Sequence, residues 1–171
     1  MAGRFVTLEG GEGSGKSTQA RLLAKHLESL GISVVVTREP GGTPFADDVR
    51  ALLLSGANRG VALAEALLFN AARADHLERV IRPALTAGRW VISDRFADST
   101  RAYQGAADGL SAEVLGQLET IVIGQTRPDL TLILDIDVTM GLARAAARAG
   151  ADAFEARDRQ FHERLRGGFL A

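Results

Sequence analysis

Eight consecutive residues, Gly10-Gly11-Glu12-Gly13-Ser14-Gly15-Lys16-Ser17, limit what this chain can fold into more than any other stretch of it. They match the pattern G-x-x-x-x-G-K-[ST]. An apolar run at 5–8 precedes them and a helix-forming run at 17–30 follows, which is the strand-then-helix setting the pattern requires. The glycines let the backbone turn its N–H groups inward around phosphate oxygens, and the helix N-terminus behind them adds partial positive charge. In such a loop Lys16 reaches the β- and γ-phosphates, the Ser17 hydroxyl ligates Mg²⁺, and Thr18 carries the loop into the first helical turn. Lysine occurs in this chain only at Lys16 and Lys25, against eighteen arginines, so its presence at the motif position is not a composition effect. The expectation is a nucleoside triphosphate site built from Gly10, Gly11, Glu12, Gly13, Ser14, Gly15, Lys16, Ser17 and Thr18.

The rest of the chain fits one α/β unit. Apolar runs at 5–8, 33–36, 90–92 and 130–134 are short, rich in Val, Ile or Leu, and bounded by glycine or polar residues, as buried parallel strands are. Between them lie helix-forming stretches at 17–30, 45–54, 61–87, 111–123 and 139–149. Gly31, Gly88, Gly124 and Gly150 close four of these, Ser111 caps one, and Pro83 is expected to kink or split the longest. Strand–helix alternation predicts a three-layer α/β sandwich over residues 1–171, with ligands outside the C-terminal strand ends, after residues 8, 36, 92 and 134. No cysteine is present, which excludes disulfide scaffolds, thiol nucleophiles and Cys-ligated zinc. A formal net charge of -1 argues against a general nucleic-acid partner, and no apolar run is long enough to span a membrane. The N-terminus reaches Glu9 before a signal-peptide core forms, so a cytoplasmic location is expected.

A second group of residues follows the third strand: Asp94-Arg95-Phe96-Ala97-Asp98-Ser99-Thr100-Arg101-Ala102-Tyr103-Gln104-Gly105. A carboxylate at that strand end, facing the phosphate loop, can hold a metal-bound water or accept a proton, and Arg95 offers a phosphate a two-pronged fork. Ser99 and Tyr103 are four apart and share a helix face, as do Phe69 and Arg73 on the long helix, an aromatic plate with a donor fork. Arg38, after the second strand, is placed to clamp another phosphate oxygen. Taken singly, Phe69 reads more readily as core and Arg73 as a solvated helix residue. Their convergence on the sheet edge that carries the phosphate loop gives them the functional reading. A signalling GTPase is excluded, because neither Asn58 nor Asn70 lies in an Asn-Lys-x-Asp element.

With these residues in view, the chain resembles the thymidylate kinases, which phosphorylate dTMP with ATP. The resemblance is carried by Leu8-Glu9-Gly10 through Ser17-Thr18-Gln19, Thr37-Arg38-Glu39-Pro40-Gly41-Gly42-Thr43, Leu67-Leu68-Phe69-Asn70-Ala71-Ala72-Arg73, Asp94-Arg95-Phe96 through Tyr103-Gln104-Gly105, and Arg127-Pro128-Asp129 leading to Leu134-Asp135. It implies a P-loop kinase fold and a step of dTTP synthesis with Mg²⁺ as cofactor. Its catalytic residues would be Lys16, Glu12, Asp94, Arg95 and Arg148, with Ser17 and Asp94 at the metal. Phe69 would stack on thymine and Arg73 bond its edge, while Arg38 and Arg95 hold the dTMP phosphate. Glu12 would sit near the 3′-hydroxyl, Tyr103 would exclude a 2′-hydroxyl, and Ser99 and Gln104 would line the base pocket. The resemblance also implies a homodimer and a lid over 144–159, with Arg144, Arg148, Arg157 and Arg159 supplying charge.

Two departures bear on activity. Ala146 and Ala153 stand where relatives often carry arginine, and losing a transition-state arginine can cost orders of magnitude in turnover. The chain also ends at Ala171, where relatives usually continue with another strand and helix, so the sheet is expected to lack its last edge strand. Two alternatives stay open. A kinase for another nucleoside monophosphate would show itself in a substrate panel. A nucleotide-binding protein of little activity would bind ATP or dTMP without transfer.

Overall fold

The computed structural model describes residues 3–55, 61–147 and 153–171. Four strands, β1 (Phe5–Glu9), β2 (Val34–Arg38), β3 (Trp90–Asp94) and β4 (Leu130–Ile133), form one parallel sheet in the order β2-β3-β1-β4. The register sets Leu8 beside Asp94 and Arg38 beside Asp94, so the C-terminal ends of the first three strands come level. The chain crosses from β1 past β3 to β2 and later from β3 past β1 to β4. Ligand crevices open at such a reversal, beyond the carboxyl ends of the strands.

Alternation along β1 and β3 feeds two cores, one on each face of the sheet. Val6, Leu8 and Ile92 pack with Ala20, Ala24 and Leu27 of α1 (Lys16–Ser29). Phe5 and Val91 pack on the other face with Leu77, Ile81, Ala84 and Ile123. Leu77 and Ile81 lie between α3 (Ala62–His76) and α4 (Arg82–Thr86), Ala84 is in α4, and Ile123 directly follows α6 (Ala112–Val122). The expected three layers are therefore present. The long helix is interrupted as Pro83 requires: a proline cannot donate to the carbonyl four residues back, and the chain widens into a π-helical turn over Leu77–Ile81 before α4 begins.

Four helices start on side-chain caps. Thr43 accepts from Ala46 N–H to open α2 (Pro44–Leu54), Ser111 caps α6, and Asp137 caps α7 (Val138–Ala146). Asp158 caps α8 (Arg159–Leu170), a helix for which sequence reading set no bounds. After β3, α5 (Ala97–Thr100) runs into a π-helical stretch, Arg101–Ala107. Phe161 and Leu165 of α8 pack against Ala102, Tyr103 and Ala107 of that stretch. β4 is the outer strand on its side, with Leu130 51% exposed. No described helix is long and apolar enough to cross a membrane.

Candidate active site

The phosphate loop follows β1 directly. Gly15 takes a left-handed conformation as the N-cap of α1, and Gly13 lies so close to α7 that an added Cβ would stand 2.1 Å from the Gly141 carbonyl oxygen. Only glycine fits there, which fixes the loop against the helix after β4. Lys16 is buried, and its ammonium donates to the carbonyls of Gly10 (2.9 Å) and Gly11 (2.7 Å) and to Ser14 Oγ (3.2 Å). Burial, reinforced by the Arg95 charge, lowers its pKa to about 7 against the pull of Glu12, Asp94 and Glu9. The Ser17 hydroxyl donates to the Asp94 carboxylate across the mouth of the loop.

Arg95 is the centre of the constellation. It is the one non-glycine residue with positive φ (74°) among the described residues, and its guanidinium lies over the Tyr103 ring. The fork donates to Gly10 O (3.2 Å), Ser99 Oγ (3.3 Å) and Glu12 Oε1 (2.8 Å). Glu12 also accepts from the Tyr103 hydroxyl. Burial works against the Glu12 carboxylate, but Arg95, Lys16 and that hydroxyl together hold it at about 2, so it stays ionised. Burial and then Glu12 keep the Tyr103 phenol protonated, well above its ordinary range, despite Arg95.

Facing this group across a cleft of about 260 Å³ are residues from β2, α3 and the stretch before α8. Phe69 and Phe154 meet with ring centroids 6.0 Å apart, and Phe154 stands edge-on to Tyr103 at 5.6 Å. Three rings thus make an aromatic pocket in the wall of the cleft. Gln104 at its wall donates to Glu65 (3.3 Å), and Ser99 and Thr100 complete it. Arg38 lies at the rim, exposed, 3.5 Å from Asp47.

Arg73 lines the same cleft but is bolted in place. Its guanidinium donates to Glu39 Oε2 (2.7 Å), Asn70 Oδ1 (3.3 Å), Phe96 O (3.0 Å) and Thr100 Oγ1 (2.9 Å). A guanidinium carries five N–H groups, so four are committed to the fold and one Nη1 hydrogen remains for the cleft. Glu39 in turn binds His76 Nδ1 (3.0 Å), and His76 Nε2 meets Thr37 Oγ1 (2.7 Å).

Most of the predicted residues thus line one cleft; Gly10, Gly11, Ser14 and the lid set do not. Arg144 is exposed on α7, away from the cleft, and Arg148 lies outside the described residues. Arg157 and Arg159, named above among the lid residues, pair with carboxylates in this structure. Arg157 forks onto Asp108 (2.7 and 3.3 Å) and stacks on Phe161, and Arg159 pairs with Glu163 one turn on (2.8 Å). Both lie nearer carboxylates of their own surroundings than the phosphate loop. Of the expected strand ends, the one after β4 does not reach the cleft either: Asp135 is forked by Arg166. Sequence reasoning missed Glu9, Glu39, His76 and Phe154. The cue for Phe154 was present, an aromatic residue inside the Asp152-Ala153-Phe154-Glu155 run.

Ser17 and Asp94 suit Mg²⁺: an alcohol and a carboxylate oxygen side by side are hard donors, and such ions usually take one or two protein ligands plus phosphate oxygens and water. Among the described residues no group of three or more His, Asp or Glu side chains is placed to hold a metal ion.

The family model described as thymidylate kinase matches residues 8–171. A thymidylate kinase of Bradyrhizobium sp. (strain BTAi1) is 57% identical over 98% of this chain and 76% of its own length. One from Caulobacter vibrioides is 56% identical over 98% of this chain and 81% of its own. The crystal structure of thymidylate kinase from Ehrlichia chaffeensis superimposes with a TM-score of 0.81 at 39% identity, covering 99% of this chain and 86% of that one.

Proposed function

The chain belongs to the thymidylate kinase family, and on that premise we propose how its cleft divides the work of phosphoryl transfer. It is an ATP:dTMP phosphotransferase that makes dTDP and ADP. Transfer joins two polyanions in line, so catalysis rests on positioning and on cancelling repulsion. The phosphate loop takes the triphosphate of ATP, with Lys16 exchanging its carbonyl partners for phosphate oxygens. Arg95 and Arg38 take the acceptor phosphate from the other side. Ser17 and Asp94 would hold Mg²⁺, which supplies charge neutralisation on the triphosphate when bound. Glu12, ionised and already accepting from Arg95 and Tyr103, has lone-pair capacity left for a sugar hydroxyl. Thymine stacks on Phe69, with Phe154 and Tyr103 closing the pocket beside it and the remaining Arg73 N–H on its carbonyl edge.

The observation that carries this reading is the aromatic pocket of Phe69, Phe154 and Tyr103 opening toward an arginine fork that already touches the phosphate loop. Its test is ADP formation from ATP and Mg²⁺ across dTMP, dUMP, AMP, CMP and GMP. Fast transfer to dTMP with slower transfer to dUMP is the expected result. Preference for another acceptor, or tight dTMP binding without transfer, would replace this reading with one of the two alternatives.

Phe154→Ala is expected to raise KM for dTMP about tenfold, the scale of one lost aromatic face, and to leave KM for ATP within about twofold. Parallel titrations of the two substrates check it, and an equal change in both would remove Phe154 from the pocket. We also propose that two copies pair through the outer face of α3, where Leu63 and Leu67 are one turn apart and 43% and 49% exposed. The same reading places the enzyme in the cytoplasm, supplying dTDP for dTTP synthesis.

A further inference from the structure

Glu9, the last residue of β1, is a fully buried carboxylate to which the reading above gives no role. Its two oxygens are both used: Oε1 accepts from Phe96 N–H (2.7 Å) and Oε2 from the Ser99 hydroxyl (2.6 Å). Both partners adjoin Arg95: Phe96 follows it in the chain and Ser99 accepts from its guanidinium. Arg95 has positive φ, a conformation that costs a residue with a side chain roughly 1–3 kcal/mol and persists only where the surroundings over-determine it. The surroundings do so here. Arg95 N–H donates to Leu8 O (3.0 Å), Ser93 Oγ donates to Arg95 O (2.8 Å), and Glu9 takes the next N–H along. The same carboxylate draws the Ser99 proton toward itself, which turns a lone pair of that hydroxyl toward Arg95 Nη1.

We propose that Glu9 is a positioning residue for phosphoryl transfer, fixing from beneath the cleft the backbone and the hydroxyl that aim Arg95 at the acceptor phosphate. The proposal rests on the reading of Arg95 as a phosphate ligand. A neutral occupant at position 9 would accept more weakly from Phe96 and compete with Arg95 for Ser99, because bonds to an ionised acceptor are about twice as strong as neutral ones. The charged groups facing Glu9 are Arg95, Asp98 and Lys16. Burial, opposed by Ser99 and Arg95, raises Glu9 to about 7, so its ionised form is lost as pH falls through neutrality.

The test compares the wild type with Glu9→Gln and Glu9→Asp. At pH 8, Glu9→Gln should lower kcat for dTMP at least tenfold while KM for ATP changes less than about twofold. The ratio of wild-type to Glu9→Gln kcat should shrink toward one between pH 8 and pH 6, a ratio in which titration of the substrate cancels. Glu9→Asp, charged but too short to reach both partners, should fall between the two. A pH-independent ratio, or equal losses in both substrates accompanied by a lower melting temperature, would make Glu9 a packing residue and overturn the proposal. No transfer by the wild type would instead overturn the reading of Arg95. The Phe96 amide then still decides the role of Glu9: its hydrogen exchange should quicken about tenfold in Glu9→Gln, and unchanged exchange would refute it.

Discussion

Lys16→Met is expected to lower kcat about 10²–10³-fold, the loss typical of removing one preorganised charge donor from a developing anion. It should also raise the melting temperature of the ligand-free protein at pH 7. Both effects have one cause. The ammonium is buried beneath the phosphate loop next to Arg95, and its pKa falls to about 7 from an ordinary value of 10.5. A base whose folded pKa is depressed binds fewer protons folded than unfolded between those two values. Stability therefore rises with pH from about 7 to about 10.5, and the full penalty applies below 7. Methionine carries no such penalty and strands little: Gly10 O keeps Arg95 and Gly11 O keeps Ser14 as donors. Thermal melts of both proteins at pH 7 and pH 10 would show a gap that closes at the higher pH. A wild type more stable than Lys16→Met at pH 7 would mean that the lysine's three hydrogen bonds outweigh its desolvation. The site would then be settled before nucleotide arrives rather than held under strain for it.

What the sequence made legible follows from the range of the interactions. The phosphate loop is local: eight residues, a strand before and a helix after, with Gly10, Gly13 and Gly15 each at a positive φ. The strands at 5–8, 33–36, 90–92 and 130–134 each match a strand of the sheet to within a residue or two; in the central β1 and β3, burial on both faces imposes the continuous apolar run. Ser99 and Tyr103 share a face as their spacing implied, and both reach the phosphate-loop side through Glu9 and Glu12. Long-range partners were not legible. Glu9 and Ser99 are ninety residues apart, and nothing in Leu8-Glu9-Gly10 signals that the carboxylate turns inward rather than toward solvent. Arg157 shows the same limit from the other side. Its place beside the lid suggested a phosphate, but a fork onto Asp108 and a stack on Phe161 hold it, and only three-dimensional placement reveals a carboxylate forty-nine residues away.

Arg73 is where the two kinds of information must be combined, and Glu39→Ala separates them. The Arg73–Glu39 pair is almost wholly buried, with side chains 2% and 5% exposed. Replacing such a pair as a unit can be neutral, but removing one member leaves the other charged and uncompensated at a cost of about 3–5 kcal/mol. At roughly 2–4 °C per kcal/mol for a chain of this size, Glu39→Ala should melt roughly 6–20 °C below the wild type. Arg73→Ala should also destabilise, because it orphans Glu39. The double variant should be less destabilised than the sum of the two, with a coupling of about 2 kcal/mol or more by chemical denaturation. The functional readout is independent of that coupling. If Arg73 meets thymine through its one uncommitted N–H, Glu39→Ala weakens dTMP binding by letting the guanidinium swing, Arg73→Ala weakens it more, and ATP binding at the far end changes in neither. Titrating both ligands well below the melting transition checks this. Variants that lose stability yet bind dTMP as the wild type does would make Arg73 a bolt between α3, β2 and the start of α5, and base recognition would then fall to Phe69, Phe154 and Gln104 alone.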